Sequence, residues 1–179
     1  MKRVLVISSL FLTSCVALNE TTTKTDKLDQ ENFIEINGIY SARPDSSWKP
    51  TLADFLIINY YLDHLSYEDD DTLLVELVTL NTRQIKVRVF RNKNLEFEKV
   101  LKGRLKNNYF VLNRQVHLEN DLYGILKTLT RQRTRIGHID NNLIVDSEEE
   151  WYSGILIFPS LYVKYEYYGE NFKKIKNGS

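Results

Sequence analysis

The sequence predicts a mainly β fold, in which an antiparallel meander forms a barrel or strongly curled sheet and one α-helix lies near residues 52–65. Three observations support this prediction. Most of the chain after Thr72 consists of short runs in which apolar and polar residues alternate. Tight polar turns, many of them with asparagine, separate these runs. A single segment, near the start of the folded part, has its apolar residues at helical spacing instead.

The predicted helix has a start signal at Thr51. Threonine is a favoured N-cap residue, and Asp54 stands where the acid of a capping box is expected. Apolar residues follow at spacings of three and four, which predicts one apolar face. The residues of this face are Leu52, Phe55, Leu56, Ile58, Leu62 and Leu65. The acidic run over 68–71 is expected to follow the end of the helix.

The strands are predicted from the alternation of residue types. Ile85, Val87 and Val89 alternate with Lys86 and Arg88, as expected for a strand with one buried face and one wet face. Similar patterns predict a first strand over 33–40 and later strands over 95–98, 109–112, 116–118, 124–131, 134–139, 143–145 and 151–158. Turns are expected at 91–94, 107–108, 120–121 and 140–142. Because such short connections join antiparallel neighbours, and because a long meander must hide its edges, the sheet is expected to curl or close.

The first predicted strand is similar to that of lipocalin-like barrels. Gly38-Ile39-Tyr40 matches their glycine followed by an aromatic residue, although that aromatic is usually Trp and their helix follows the last strand. The resemblance covers these few residues and implies a barrel. It implies no particular ligand.

The N-terminus has the features of an export signal. Lys2 and Arg3 precede a mostly apolar run over 4–12, which is too short to span a bilayer as a helix. The run ends in Leu12-Thr13-Ser14-Cys15, which resembles the lipobox of bacterial lipoproteins. In that family the cysteine receives a diacylglyceryl thioether, the signal peptide is cut before it, and the new amine is acylated, commonly with palmitate.

The lipobox resemblance implies both an anchor and a location. Two or three acyl chains on Cys15 would hold the protein on a membrane almost permanently. In enterobacteria-like sorting, Val16 in place of Asp favours the outer membrane, with the protein facing the periplasm. The chain then divides into a signal peptide over 1–14, a polar tether over 15–31, a β domain over 32–172 and a polar tail over 173–179. Cys15 is the single cysteine, so the domain is expected to rely on a packed core without a disulfide.

Composition and motifs argue against several functional classes. Removal of the signal peptide with Lys2 and Arg3 leaves 22 basic and 24 acidic residues. The chain therefore has no basic domain of the kind that would indicate nucleic-acid binding. The histidines, which are His64, His117 and His138, lack metal-ligand spacing, although His117 and His138 could meet across strands. The acidic run over 68–71 lacks the donor spacing of a calcium loop. We therefore expect no metal and no cofactor, and no catalytic motif indicates an enzyme.

One candidate ligand-binding site stands out in the sequence. Arg131, Arg133 and Arg135 occupy positions i, i+2 and i+4, which share one face of a continuous strand. If this face points into a barrel mouth, the three guanidinium groups would suit a carboxylate, phosphate or sulfated sugar. If it points outward, they form a solvated face, which is the ordinary arrangement for strand arginines.

The sequence favours a non-catalytic, lipid-anchored protein whose β domain binds a protein or glycan partner at the membrane surface. An alternative is a carrier with a barrel cavity for a small apolar or anionic ligand. The least favoured hypothesis is a hydrolase whose catalytic carboxylates are distant in the sequence and are brought together by folding. Dense C-terminal aromatic residues would either stack on sugars or a partner, or simply pack between strands. They are Trp151, Tyr152, Tyr162, Tyr165, Tyr167 and Tyr168.

Overall fold

The structure is a computed structural model that describes residues 24–44, 50–58, 72–120, 126–155 and 158–175. The predicted signal peptide, the lipobox with Cys15, most of the predicted tether, His64 and the acidic run over 68–71 lie outside these residues. Within the described ranges, no helix has the length and apolar character needed to cross a bilayer.

The described residues form ten strands, one α-helix and one 3-10 turn. The helix α1 is Leu52–Leu56, and the 3-10 turn is Phe33–Ile36. The strands are β1 Gly38–Ser41, β2 Leu73–Asn81, β3 Gln84–Arg91, β4 Asn94–Lys106, β5 Tyr109–Leu112, β6 Gln115–Asn120, β7 Leu126–Ile139, β8 Asn142–Ile155, β9 Phe158–Phe172 and β10 Lys174–Ile175.

All the strand pairings among the described residues are antiparallel, which confirms the predicted mainly β, antiparallel fold. The sheet runs in the order β10-β1-β2-β3-β4-β5-β7-β8-β9, and β6 pairs with β7 beside this path. β10 follows β9 after the single residue Lys173. The described strand pairings include no ladder between β9 and β1.

Three of the predicted turns are tight hairpin turns with two residues at positive φ. This is the backbone of a type I′ turn, in which asparagine and aspartate are favoured because they tolerate the left-handed region. The residues are Asn92 and Lys93, Asn107 and Asn108, and Asp140 and Asn141. The predicted turn at 120–121 runs into residues outside the description.

The first predicted strand is wrong over its first half. Phe33–Ile36 forms a 3-10 turn, and β1 begins only at Gly38. Residues three apart lie on the same side of a 3-10 turn, so Phe33 and Ile36 are both buried. The Phe33 ring packs on Phe110 with ring centroids 4.8 Å apart. This contact with β5 is invisible to a local sequence pattern.

The helix starts as predicted but is much shorter. In the capping box, Thr51 Oγ1 accepts from the Asp54 N–H at 3.3 Å, and an Asp54 carboxylate oxygen accepts from the Thr51 N–H at 2.7 Å. Ile57 then adopts extended backbone angles, φ −127° and ψ 107°, so α1 ends at Leu56. The predicted continuation is therefore wrong at Ile57, and 59–65 lie outside the described residues.

Side chains from distant strands explain why α1 ends early. They donate to the carbonyl groups that a longer helix would use for its own hydrogen bonds. The bonds run from Gln132 Nε2 to Asp54 O at 2.7 Å, from Thr134 Oγ1 to Phe55 O at 2.6 Å and from Gln115 Nε2 to Leu56 O at 2.7 Å. Because side chains of β6 and β7 already donate to these carbonyls, a longer α1 would gain no further hydrogen bonds at them.

The apolar core lies between α1, the 3-10 turn and one face of the sheet. We call this the inner face. Its largest fully buried side chains are Tyr40, Phe55, Phe110, Phe172, Ile36, Leu52, Leu56, Leu77, Ile85, Ile136 and Leu143. Packing extends into the range assigned to the tether, since Leu28 is buried and the Asp26 N–H donates to His138 O at 2.8 Å. At the other end, Lys174–Ile175 pairs with β1, within the range assigned to the polar tail.

Candidate functional site

The structure places Arg131, Arg133 and Arg135 on one face of β7, a single strand where two strands, over 124–131 and 134–139, were predicted. Gln132 and Thr134 alternate with them and reach α1, so the three arginines lie on the outer face of the sheet. All three are partly exposed there. An anion bound by them would therefore sit on the outside of the sheet, away from α1. Binding of an anion stays a prediction.

An acidic row on β8 faces these arginines. The register pairs Arg131 with Glu150, Arg133 with Glu148 and Arg135 with Asp146. Cross-strand pairs of opposite charge stabilise a sheet, so this arrangement has a structural role in its own right. We call these six residues the outer charge ladder.

The Arg135–Asp146 pair is the best buried part of the outer charge ladder. Arg135 Nε donates to Asp146 Oδ2 at 2.7 Å, and the Gly169 N–H donates to Asp146 Oδ1 at 2.6 Å. Asp146 is fully buried, and the Arg135 guanidinium lies over the Tyr109 ring at 4.5 Å. Nearby, Tyr168 donates its hydroxyl to buried Glu148 at 2.9 Å. Burial and the Glu148 carboxylate raise the pKa of Tyr168.

The sheet splits between β4 and β6. β5 lies between β4, with which it pairs as far as Leu112, and β7, with which it pairs at Phe110 and Val111. The Asn113 N–H then donates to Lys102 O at 2.8 Å. Beyond that bond, β6 continues along β7 while β4 continues along β3. In the described part of the chain, β6 pairs with β7 alone and Asn94–Lys102 of β4 pairs with β3 alone. The two strands therefore diverge and leave two edges facing a wedge-shaped space.

This space, which we call the split groove, has a volume of about 320 Å³. Its lining includes Leu101 and Leu112 at the base, with basic side chains of Lys99, Lys102 and Arg114. Lys99 and Lys102 are exposed, whereas Arg114 Nη2 lies 3.3 Å from a Glu150 carboxylate oxygen. Exposed apolar side chains flank it on the outer face. They are Val100 on β4 and Val116 and Leu118 on β6.

A second feature lies on the inner face, where α1 meets β7 and β8. Gln132 is 3% exposed and stands opposite Glu149 in the register. Its Nε2 donates to Asp54 O, and its Oε1 is buried without a hydrogen-bond partner among the described residues. We call Asp54, Gln132 and Glu149 the acceptor cluster, because their side chains present two carboxyl groups and an amide oxygen.

In the acceptor cluster, the negative charge of Asp54 disfavours a negative charge on Glu149. Burial is the main cause that raises the pKa of Glu149, and the negative charge of Asp54 acts in the same direction. The Trp151 indole N–H opposes this rise, without reaching standard hydrogen-bond geometry. Burial and the charges of nearby acidic groups also raise the pKa of Tyr167. A cation placed here would favour the charged form of Glu149.

The other predicted site residues are dispersed. The register places His117 opposite Thr130 and His138 opposite Leu143, so the two histidines do not meet across strands. The aromatic residues near the C-terminus divide between both faces of the sheet and form no single platform. Within the residues that the structure describes, no group of three or more metal-ligating side chains is suited to hold an ion.

No protein family matches this chain, and no curated protein or solved structure is significantly similar to it. The functional argument therefore depends on the geometry of the split groove, the outer charge ladder and the acceptor cluster.

Sequence reasoning missed both the split groove and the acceptor cluster. The groove depends on where β4 and β6 stop pairing, which no local pattern encodes. The acceptor cluster joins α1 to residues about 80 to 95 positions later, so its members are close only in the folded chain. One signal was available, because Gln132 is a polar residue between two arginines and must face the opposite side of the strand.

Proposed function

We propose that this chain is a lipid-anchored envelope protein whose β domain binds a protein partner in the split groove. The observation behind this proposal is the divergence of β4 from β6, which exposes two strand edges beside apolar and basic side chains. The lipobox over 12–15 supports the anchor, and Val16 supports an outer-membrane location facing the periplasm.

The groove suits an extended acidic segment of a partner. Strand edges present N–H and C=O groups that an added strand can pair with, and proteins usually protect such edges. Val116 and Leu118 are 57% and 56% exposed on the same face of β6, so they can pack alternate side chains of that strand. Lys99 and Lys102 line the other edge and would attract carboxylates.

The direction of β6 supports a partner that approaches the domain from the side facing away from the anchoring membrane. Asp26, near the end of the predicted tether, is hydrogen-bonded to His138 near the C-terminal end of β7. β6 runs the other way along β7, until Asn120 pairs with Lys127. At 3.3 Å per residue, that point is about 35 Å along the strand from His138. The groove mouth therefore opens toward the end of the sheet opposite the tether.

We expect Cys15→Ala to abolish lipid attachment. The thioether needs the cysteine sulfur, so an alkyne analogue of palmitate should label the natural chain and leave this variant unlabelled. Val16→Ala is the matched control and should keep full labelling. Mass spectrometry of the N-terminal peptide should also find acylated Cys15 as the first residue of the mature chain. Labelling that persists in Cys15→Ala would contradict the proposed anchor.

We expect a photocrosslinking residue at position 118 to form one discrete protein adduct in intact cells. Lys99→Glu together with Lys102→Glu should reduce that adduct at least about tenfold, because each reversed charge repels an acidic partner segment. The control pair, Arg104→Glu with Lys106→Glu, makes the same charge change on exposed residues of the same strand and should keep the adduct. The exposed Ile34 position should give none.

Three results would reject the groove as a protein site. They are no adduct from position 118, an adduct unaffected by the Lys99 and Lys102 reversal, or equal loss in both charge-reversed pairs. An adduct removed by glycosidases and resistant to proteases would instead identify a glycan partner.

We further propose that the sheet closes into a barrel. Support comes from β10, which pairs with β1 directly after β9 ends, and from the Ser41 N–H, which donates to Lys173 O at 3.0 Å. Ile39 and Ile175 are register partners. In a Cys15→Ala background, cysteines at these two positions should oxidise to a disulfide and raise the Tm by several degrees. Cysteines at Ile34 and Ile175 are the control pair, and disulfide formation equal to that control would contradict closure.

A further inference from the structure

The acceptor cluster has a buried oxygen that lacks a donor. Gln132 is almost completely buried, and its amide orientation is fixed because Nε2 donates to the Asp54 carbonyl at 2.7 Å. Its Oε1 is therefore an acceptor with no hydrogen-bond partner in the part of the chain that the structure describes. Buried polar groups are nearly always paired, and an unpaired one carries its full desolvation cost. Such an oxygen marks a place where a bound donor would be favoured.

Two of the groups around that oxygen are also acceptors, and a third, the Trp151 indole N–H, is a buried donor without a partner among the described residues. Glu149 is directly opposite Gln132 and shares its face, while the negative charge of Asp54 acts on Glu149. The Asp54 carboxylate is held in place by the Thr51 N–H and by Thr51 Oγ1, each at 2.7 Å. Asp54 and Glu149 are both partly exposed, so solvent reaches this side of the cluster. A donor that also carries positive charge would therefore suit Gln132 Oε1 and both carboxylates.

Aromatic rings border the acceptor cluster. Trp151 follows Glu149 on the same face of β8 and packs edge-on against Tyr165, with ring centroids 6.2 Å apart. Tyr167 packs edge-on against Phe55 of α1 at 5.1 Å. Aromatic faces attract organic cations and cover the carbon chain that carries them. These rings favour an organic cation over a bare ion.

We propose that the acceptor cluster binds a primary ammonium group, with N–H donors directed to Gln132 Oε1 and to the carboxylates of Asp54 and Glu149. Three donors on one charged nitrogen match three acceptors. A calcium ion is a poorer match because it takes six to eight oxygen ligands, and this cluster supplies two carboxylates and one amide oxygen. This site is separate from the split groove and does not depend on it.

The test uses the full-length lipoprotein in detergent, with putrescine as the ammonium probe. The chain has two tryptophans, so a Trp48→Phe background leaves Trp151 as the single indole reporter. Putrescine should change the Trp151 fluorescence in a saturable way. 1,4-Butanediol, which has the same chain length without charge, should produce no saturable change.

Glu149→Gln should weaken putrescine binding about thirtyfold, since it replaces a charge-assisted hydrogen bond with a neutral one. Glu150→Gln is the matched control, because Glu150 is adjacent to Glu149 in the sequence but belongs to the outer charge ladder on the outer face of the sheet. It should leave binding unchanged within about twofold. Gln132→Met should also weaken binding, and near-ultraviolet circular dichroism will show whether each variant keeps its fold.

The results separate this proposal from the one for the groove. The Lys99→Glu and Lys102→Glu variant should bind putrescine normally even though it loses its protein adduct. The ammonium site would be overturned by an unsaturable response to putrescine, by equal binding of 1,4-butanediol, or by equal affinity in the Glu149→Gln variant. Saturable calcium binding without putrescine binding would also overturn it and would indicate a metal site.

Discussion

Asp146→Asn is expected to lower the free energy of unfolding by about 3–5 kcal/mol, measured by urea denaturation, because it breaks a buried ion pair. Asp146 is fully buried and accepts from Arg135 Nε and from the Gly169 N–H. An asparagine side chain has the same size but no charge, so the guanidinium of Arg135 would stay nearly buried without its counter-charge. The side chain of Arg135 is only 11% exposed and has little room to move into water.

Two comparisons make this prediction specific to the buried pair. Glu150→Gln changes a carboxylate of the same ladder whose side chain is 12% exposed and whose partner Arg114 is 39% exposed, so it should cost less, about 1–2 kcal/mol. Replacing both partners with apolar residues, Arg135→Met with Asp146→Leu, should recover part of the lost stability, since no uncompensated charge remains although the Gly169 N–H loses its acceptor. An Asp146→Asn cost no larger than that of Glu150→Gln would show that the pair is already well solvated.

Phe55→Ala is expected to lower the free energy of unfolding by about 3–5 kcal/mol, through lost burial and the cavity left behind. The Phe55 ring packs on Tyr167 at 5.1 Å and on Phe172 at 6.0 Å between ring centroids. It is the side chain that holds the short helix α1 against β9. Because α1 has only five residues, it cannot hold its place by helix propensity alone.

The matched control is Leu95→Ala, which removes a side chain that is about half exposed on β4. It should cost less than about 0.5 kcal/mol. A further readout is putrescine binding, which should weaken in Phe55→Ala because α1 carries Asp54. A cost below about 1 kcal/mol for Phe55→Ala would mean that α1 contributes little to the core, contrary to the packing described above.

The outer charge ladder shows how far sequence reasoning reached at the candidate site. The spacing of Arg131, Arg133 and Arg135 predicts a shared face only on a continuous strand, and β7 is continuous where strands over 124–131 and 134–139 were predicted. Whether the arginine face of β7 is the inner or the outer face of the sheet depends on what packs against the opposite face. α1 decided this, since Gln132 and Thr134 turn toward its carbonyls and leave the arginines on the outside.

Local signals in the sequence determined the mainly β, antiparallel character of the chain, three hairpin turns and the start of the helix. Each of these depends on a few adjacent residues, such as the pair Asn107-Asn108 at positive φ or the Thr51–Asp54 capping box. The lipobox prediction is of the same local kind and involves residues outside the described part of the chain.

Tertiary structure decided the features that bear on function. The 3-10 turn over Phe33–Ile36 depends on packing against β5, and the end of α1 depends on donors from β6 and β7. The split groove arises where β4 and β6 separate after the Asn113–Lys102 hydrogen bond. These features join residues tens of positions apart, and their energies come from contacts that exist only once the sheet has formed.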